Sequence, residues 1–449
     1  MRAIHPPREL FDFARVLHED GKACFLVGGA VRDYLLGRAV TDFDAATDAR
    51  PEEVVRNFRH VIPTGIKHGT VTVLFKGLEI EVTTFRTESD YSDGRHPDKV
   101  EYAASIEEDL SRRDFTINAM AFNLATKVVL DPHGGKDDLA ARLVRAVGDP
   151  VERFHEDGLR PLRAIRFAAQ LGFSIETSTL TAIKPSMDRF RLVSTERVRD
   201  ELQKILLSPI PSRAFGLLEG TGLLAEILPE LSACRGVDQR GMHIHDVLDH
   251  LYASVDAAPP ELVLRLAAIL HDIGKPAAKE ERAGGDPTFY RHEEISARMI
   301  GTMLKRLRFP NALIDEVAHL VGCHMFSYDE SWTDAAVRRF IARVGMPSMD
   351  RLFALRLADG TGITGIPADP RSLEPLRGRI EASLAAREAF GLSELAVKGG
   401  DLIPLGIPPG PKMGALLKEL LETVIDDPAL NNRERLLEIA ERLRPKYSL

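Results

Sequence analysis

The segment Leu26–Thr47, LVGGAVRDYLLGRAVTDFDAAT, sets the tightest limits on what this chain can become. An apolar run over Cys24–Val27 predicts a strand. It breaks at Gly28-Gly29, and AVRDYLLG then predicts a helix that Gly37 is placed to end. A glycine turn leading into a helix lets backbone N–H groups approach a phosphate. Arg32 adds a forked donor. Asp42 and Asp44 follow, two residues apart, flanked by Phe43 and Ala45. Alternate residues of a strand face one side, so this spacing predicts two carboxylates side by side. Such a pair repels unless a cation lies between them, and oxygen-only ligands suit Mg²⁺. A Gly-Gly pair alone is usually a turn, and a lone DxD is usually a solvated loop. Their combination in one short segment is far more specific.

The pattern GGxVRD…LLG…DxDxxT resembles the nucleotidyltransferase head of the DNA polymerase β superfamily. Within it, the pattern is similar to the class II tRNA nucleotidyltransferases, the CCA-adding enzymes and their poly(A) polymerase relatives. The resemblance implies an α+β fold: a polymerase β-like head with a small mixed sheet plus helices, then an all-helical neck, body and tail. The implied divisions are a catalytic head over 1–150 and a neck over 151–212 that binds the nucleotide base and tRNA. A helical body with an HD domain over 213–370 and a tRNA-binding tail over 371–449 complete the chain. The implied partners are tRNA, ATP and CTP, with Mg²⁺ on Asp42 and Asp44. Gly28, Gly29, Arg32 and Arg113, the last in EEDLSRRDF, would orient the triphosphate.

Between these motifs, HVIPTGIKHGTVTVLFKGLEIEVTTFR predicts two strands around a Lys76-Gly77 turn. Glu79 and Glu81 then share one side, and Glu81 is a candidate third carboxylate. The form TGIKHGTVTV is nearer to the CCA-adding branch than to the poly(A) polymerase branch. Thr87–Lys99, TESDYSDGRHPDK, is polar and turn-rich and predicts a mobile loop. Loops at this place in the family are linked to addition of the final A.

The second informative stretch is FHEDGLRPLRAIRFAAQLGF, Phe154–Phe173. It predicts a helix carrying Asp157, Arg160, Arg163 and Arg166 at three-residue steps and ending at Gly172. A charge run of this kind is usually a solvated face. Here it matches the family pattern EDxxRxxRxxRF, which implies nucleotide-base recognition. Asp157 would accept from an exocyclic amine and Arg160 would donate to a ring nitrogen, a pairing that fits cytosine and adenine. Uracil and guanine present the opposite polarity on that edge. Successive steps rotate around the helix, so Arg166 is expected to point away from Asp157. STERVRDELQKILLSP, Ser194–Pro209, predicts a capped amphipathic helix that supports the neck.

A second constellation follows in the order H…HD…H…H…D: His250, His271-Asp272, His292, His324 and Asp359. His243 and His245 are close rivals for the first position, and spacing favours His250. His271-Asp272 is expected on an apolar helix closed by Gly274. The order resembles the HD phosphohydrolases. Imidazole and carboxylate ligands on facing helices suit Mn, Ni, Fe or Zn. Two metals bridged by Asp272 would hydrolyse a phosphoester. Near the end, Gly410-Pro411-Lys412-Met413-Gly414 opens a predicted helix and is a candidate backbone-phosphate contact.

Length, 449 residues, predicts about three domains. No apolar run is long enough for a membrane helix, and the first residues predict a helix and not a signal core. Three distant cysteines without a CxxC suit a reducing, cytoplasmic setting. A net charge of −8 means that any RNA surface must be a local basic patch. Three other readings share many of these motifs. They are an A-adding enzyme working beside a CC-adding enzyme, a poly(A) polymerase, and an HD phosphohydrolase whose head only binds nucleotide.

Overall fold

The computed structural model describes residues 2–65, 69–89, 99–239, 244–280, 286–386 and 388–447. The chain divides into two compact units, Met1–Ser232 and Ala233–Leu449.

The first unit is built on a seven-stranded mixed sheet. Its strands are β1 (Cys24–Val27), β2 (Phe43–Thr47), β3 (Val61–Gly65), β4 (Thr70–Phe75), β5 (Leu78–Thr84), β8 (Ala121–Asn123) and β9 (Val129–Leu130), in the order β3-β4-β5-β2-β1-β8-β9. Helix α1 (Arg8–Glu19) buries Leu10, Phe13, Ala14 and Leu17 at helical spacing. Phe13 stacks on Phe58 at 4.7 Å and meets Phe75 edge-on at 6.0 Å. Each such fully buried Leu or Phe contributes about 1.5–3 kcal/mol.

Every residue of β1 is buried, as its apolar run predicts. Helix α2 (Gly29–Leu36) begins at the glycine pair and ends on Gly37 in the left-handed region. Gly28 has φ 67°, and a Cβ there would lie 2.9 Å from Arg113 Nη1. Both strain and space therefore demand glycine. Lys76 and Gly77 both have positive φ, the geometry of a tight hairpin turn, and join β4 to β5 as expected. Strand β3, on the far edge beside β4, was not expected as a separate strand.

The loop expected over Thr87–Lys99 is narrower than its composition suggests. Its arms pair as an antiparallel ladder, β6 (Arg86–Ser89) with β7 (Lys99–Tyr102). Pairing satisfies backbone groups that polar composition alone does not account for. Residues 90–98 lie outside the described part.

Helices α3 (Pro51–Asn57), α4 (Ile106–Ser111), α5 (Gly135–Ala141), α6 (Pro150–Glu156) and α7 (Arg160–Leu171) complete the features near the sheet. The single helix expected through Asp157 is two. Asp157 closes α6 in extended geometry, φ −136° and ψ 108°. Its carboxylate accepts from the Leu159 N–H at 3.0 Å. Pro161 then sits in the first turn of α7, where its missing N–H costs nothing. Asp157 is therefore a side chain at a break, and only the three arginines share α7. Gly172 ends α7 in the left-handed region, as predicted. The helix Thr195–Leu206 is amphipathic as expected, but Ser194 at its N-cap makes no side-chain capping bond.

The described residues of the second unit form helices and turns, apart from one isolated bridge, Glu280 to Thr288. The helix Leu262–Leu270 is buried along Leu264–Leu270, so it is a central core helix. It stops at Leu270. His271-Asp272 lies in the following turn and not on the helix, a correction to the expected placement. Gly274 does not close a helix. A Cβ there would lie 2.6 Å from the His292 carbonyl, so its role is close approach between segments. The C-terminal helices Pro411–Asp426 and Arg433–Tyr447 share a core of Leu416, Leu420, Val424, Leu436 and Ala440. Cys24, Cys234 and Cys323 are buried and form no disulfide with one another. Among the described residues, no helix is long and apolar enough to cross a membrane.

Candidate active site and histidine cluster

In the first unit, a cleft of about 300 Å³ opens over the middle of the sheet. Its lining includes Asp44, Glu81, Arg113, Asp157, Arg160 and Arg163. Parallel pairing of β2 with β5 sets Asp44 directly opposite Glu81. That places the candidate third carboxylate beside the DxD pair. Asp42 is exposed at the entry to β2, and Asp44 opens into the cleft. The cleft walls desolvate Asp44. With the repelling charge of Asp42, this raises its carboxyl above the usual range, and Arg113 only partly compensates. Glu81 is raised as well, by desolvation and then by Asp44. Asp44 and Glu81, two carboxyls that resist sharing negative charge, are oxygen donors suited to a cation.

Cationic groups face them. Arg113 donates from Nη2 to Asp109 at 3.2 Å, while its buried Nε has no partner. Asp109, fully buried, also accepts from Arg112 at 2.7 Å. It holds both arginines at the cleft. Arg160 is anchored by backbone, from Nη1 to the Arg153 carbonyl at 2.8 Å and from Nη2 to the Arg112 carbonyl at 3.1 Å, and by Glu156. Asp157 is gripped by both ends of the Arg197 guanidinium, at 3.0 and 2.7 Å. Arg163 donates to Asp114 from Nε and Nη2, at 2.9 and 2.7 Å. Burial opposes the charge on Asp114, yet Arg163 and Asn118 outweigh it and hold the carboxyl below the usual range.

Two predicted residues are committed elsewhere. Arg32 is buried, with bonds to Asp33 at 2.8 Å and to Asn118 at 2.7 Å. Asn118 in turn donates to Asp114 at 3.0 Å, so a buried network ties α2 through Asp114 to α7. Arg166 pairs with Glu201 at 2.7 Å and lies 3.5 Å from the Phe167 ring, away from Asp157 as expected. Asp109, Asp114, Asn118, Arg197 and Glu201 were not singled out in the sequence. Asp109 carried a local signal, preceding Arg112 and Arg113 by three and four residues on a helical turn, and Arg197 and Glu201 lie in the ERVRDEL segment read as support for the neck. The others meet their partners through the fold.

A stability prediction follows from this network. Glu201 is 3% exposed and serves Arg166 and, at 3.7 Å, Arg163. Glu201→Ala leaves the buried Arg166 guanidinium without its carboxylate and is expected to cost about 3–5 kcal/mol. Urea unfolding of parent and variant checks this; a loss under about 1 kcal/mol would show the pair to be replaceable.

In the second unit, all six predicted groups converge. His250 Nε2 lies 2.9 Å from His271 Nε2, and Asp272 Oδ2 lies 3.4 Å from each. His292 Nε2 is 3.0 Å and His324 Nε2 is 3.7 Å from Asp272 Oδ1. Asp359 Oδ1 approaches His250 at 3.3 Å and His271 at 3.5 Å. Asp272 thus belongs to two triads of potential ligands. His243 lies outside the described residues, and the geometry selects His250. The tautomers are fixed from outside. His271, His292 and His324 each donate Nδ1–H to a backbone carbonyl, of Ala268, Phe289 and Val321, at 2.9, 2.8 and 2.7 Å. At His292 and His324 the Nε2 lone pair therefore faces Asp272, acceptor against acceptor, while at His271 burial is outweighed by Asp272 and Asp359, which raise the imidazole to about 10. Asp272 Oδ1 and His292 Nε2, both buried, have no hydrogen-bond partner. That costs free energy unless a cation completes the site. Burial pushes His324 down to about 3, reinforced by His271. Lys275 sits at 2.6 Å from Asp272 Oδ2.

Three comparisons bear on this geometry. Residues 24–145 match the poly A polymerase head domain family, residues 172–234 match a probable RNA- and SrmB-binding site of polymerase A, and residues 289–440 match a putative tRNA nucleotidyltransferase domain 2. The chain is 35% identical over 424 residues to a CCA-adding enzyme of Lactobacillus delbrueckii subsp. bulgaricus, covering 94% of each protein. It is 36% identical over 436 residues to that of Geobacillus kaustophilus, covering 96% of each. Among solved structures, it is similar to the Bacillus stearothermophilus CCA-adding enzyme in complex with CTP, with a TM-score of 0.73, 30% identity and 99% of each chain covered.

Proposed function

The chain belongs to the CCA-adding enzymes, class II tRNA nucleotidyltransferases, and we propose that it adds C, C and A to tRNA 3′ ends from CTP and ATP without a nucleic-acid template. The observation that carries this reading is the cleft in which Asp44 and Glu81 face Arg113, Asp157 and Arg160. Divalent ions bound by Asp42 and Asp44, Mg²⁺ by the oxygen donor set, would supply activation of the primer 3′-hydroxyl and neutralisation of the triphosphate. Glu81 would complete that set. The N–H groups at the start of α2 and the unpartnered Nε of Arg113 offer donors to the triphosphate. Arg32, bonded to Asp33 and Asn118, braces α2 beside the same turn.

Asp157 accepts from the exocyclic amine of C or A, and Arg160 donates to the adjacent ring nitrogen. Arg197 holds the Asp157 carboxylate in one rotamer, and Arg163 with Asp114 braces the helix behind it. Asp157→Ala is expected to lose discrimination against UTP and GTP more than turnover, by about 10²-fold or more in the ratio of kcat/KM values. Arg197→Ala should show the same tendency more weakly. Selectivity measured with each of the four nucleotides decides the matter; an Asp157→Ala protein as selective as the parent removes the base-reading role. The activity itself is tested with tRNA lacking CCA, tRNA lacking only A, and an unrelated RNA, each given CTP and ATP. Extension of the first two alone supports the reading. Extension only of the second points to an A-adding enzyme, and of all three to a poly(A) polymerase.

The facing acceptors in the second unit favour an added activity. His250, His271, Asp272, His292, His324 and Asp359 would hold one or two divalent metals of the Mn, Ni, Fe or Zn class, as an HD-type phosphohydrolase does. Bound there, the metal would supply a hydrolytic water for phosphate esters at damaged RNA ends. Lys275 would steady Asp272 and add positive charge for the phosphate.

A further inference from the structure

A second cavity lies within the Ala233–Leu449 unit and has no part in the functions above. It is a cleft of about 710 Å³, within the ~300–1,000 Å³ range of small-ligand sites. Three pieces of chain wall it: the segment after His324, the helix Asp334–Val344, and the C-terminal half of the helix Pro411–Asp426, with Phe390 beside them.

The walls are rings. Trp332, the only tryptophan in the chain, is partly buried, with its centroid 5.7 Å from Phe340 and 5.5 Å from Tyr328. Phe326 lies 5.0 Å from Phe340. These pairs are edge-to-face or tilted, not stacked. The rim is cationic. Arg343 is exposed and sits 5.7 Å over the Phe340 ring. Arg339 reaches Asp426 and, at 3.6 Å, Glu422. The walls are fixed to one another by buried Arg338, which donates to the carbonyls of Ile425 and Asp426 at 2.6 and 3.1 Å and to Glu388 at 3.1 Å. This clamp satisfies the end of the helix Pro411–Asp426 and fixes the walls of the cleft.

We infer that this cleft is a second nucleotide-binding site. It takes a flat base against the partly exposed rings of Trp332 and Phe390, backed by buried Phe340, with the phosphate at Arg343 and Arg339 and an exocyclic amine at Glu422. Aromatic surface with arginine at the rim is the chemistry that captures an unstacked nucleotide, because every base offers a ring face and every nucleotide an anion. A bare polyanion would meet Glu422, and a purely apolar ligand would leave the exposed Arg343 at the rim without an anion. The nucleotide comes either free, as ATP or CTP, or as an unpaired residue of the bound tRNA. The tRNA source rests on the function proposed above.

The lone tryptophan reports occupancy directly. Fluorescence of the full chain is titrated with AMP, CMP, inorganic phosphate, and tRNA lacking CCA, in the parent, Arg343→Ala and Phe390→Ala proteins. The expected result is saturable quenching by nucleotides but not by phosphate. Arg343→Ala and Phe390→Ala should each weaken it about fivefold or more, while nucleotide addition keeps its kcat and its KM for CTP. Quenching by AMP and CMP at low concentration assigns a free nucleotide, and quenching by tRNA alone assigns an RNA residue. No quenching, equal quenching by phosphate, or quenching unchanged in both variants overturns the inference. Because addition of CTP is followed in the same proteins, failure of the cleft is distinct from failure of the nucleotidyltransferase reading.

Discussion

Asp44→Ala is expected to lower nucleotide addition by about 10³-fold or more while leaving tRNA affinity within a few-fold of the parent. Asp44 stands opposite Glu81 in the β2–β5 register and two residues from Asp42. Desolvation and like charge already raise its pKa, so its ionised form depends on the positive charge around it. Removing it takes away a contact that matters at the reacting atoms. tRNA affinity, in contrast, comes mainly from many phosphate contacts. Asp42→Ala should behave alike, since a cation between the pair needs both. Single-turnover addition of CTP and a filter-binding isotherm for tRNA separate the two effects. Near-parental addition by either variant would remove the paired carboxylates from the chemistry.

Asp272→Ala is expected to empty the histidine cluster and spare nucleotide addition. Asp272 is shared by both candidate triads, and its two oxygens divide between them: Oδ2 near His250 and His271, Oδ1 near His292 and His324. Without it, four imidazoles converge on no anion but Asp359, and a divalent ion loses its central ligand. The chain's two catalytic candidates lie in separate compact units, so the loss should stay local. Elemental analysis of purified protein, with phosphatase and cyclic-phosphodiesterase assays in Mg²⁺, Mn²⁺ and Ni²⁺, checks this. The parent is expected to retain about one to two metals per chain and to hydrolyse at least one phosphoester; the variant should do neither. A parent that carries no metal and hydrolyses nothing would leave the cluster as a structural element.

Local rules made the head legible. The glycine pair and Gly37 obey short-range steric constraints and took the predicted form, as did the hairpin at Lys76-Gly77. Of the DxD pair only Asp44 lies within the strand, Asp42 preceding it. Local rules failed where tertiary contacts decide. Periodicity alone carried a helix through Asp157, but Pro161 and the side-chain bond from Asp157 to Leu159 N–H start a new one. That break frees Asp157 to meet Arg197, forty residues later. Asp114 and Asn118 were silent for the same reason: a carboxylate or amide becomes a bracing residue only when the fold brings its arginine to it. The histidine cluster was legible through the order of its residues, though His271-Asp272 lies in the turn after the helix. The cleft at Trp332 had no motif at all, because its walls come from three segments with ordinary amphipathic sequences.

The most direct measurement supplies the purified protein with all four nucleoside triphosphates, Mg²⁺ and a tRNA ending at the residue before CCA, then sequences the product 3′ ends. The structure predicts C, C and A in that order, followed by termination, with no U or G incorporated. An open-ended A tail, products containing U or G, or an unextended tRNA would contradict it.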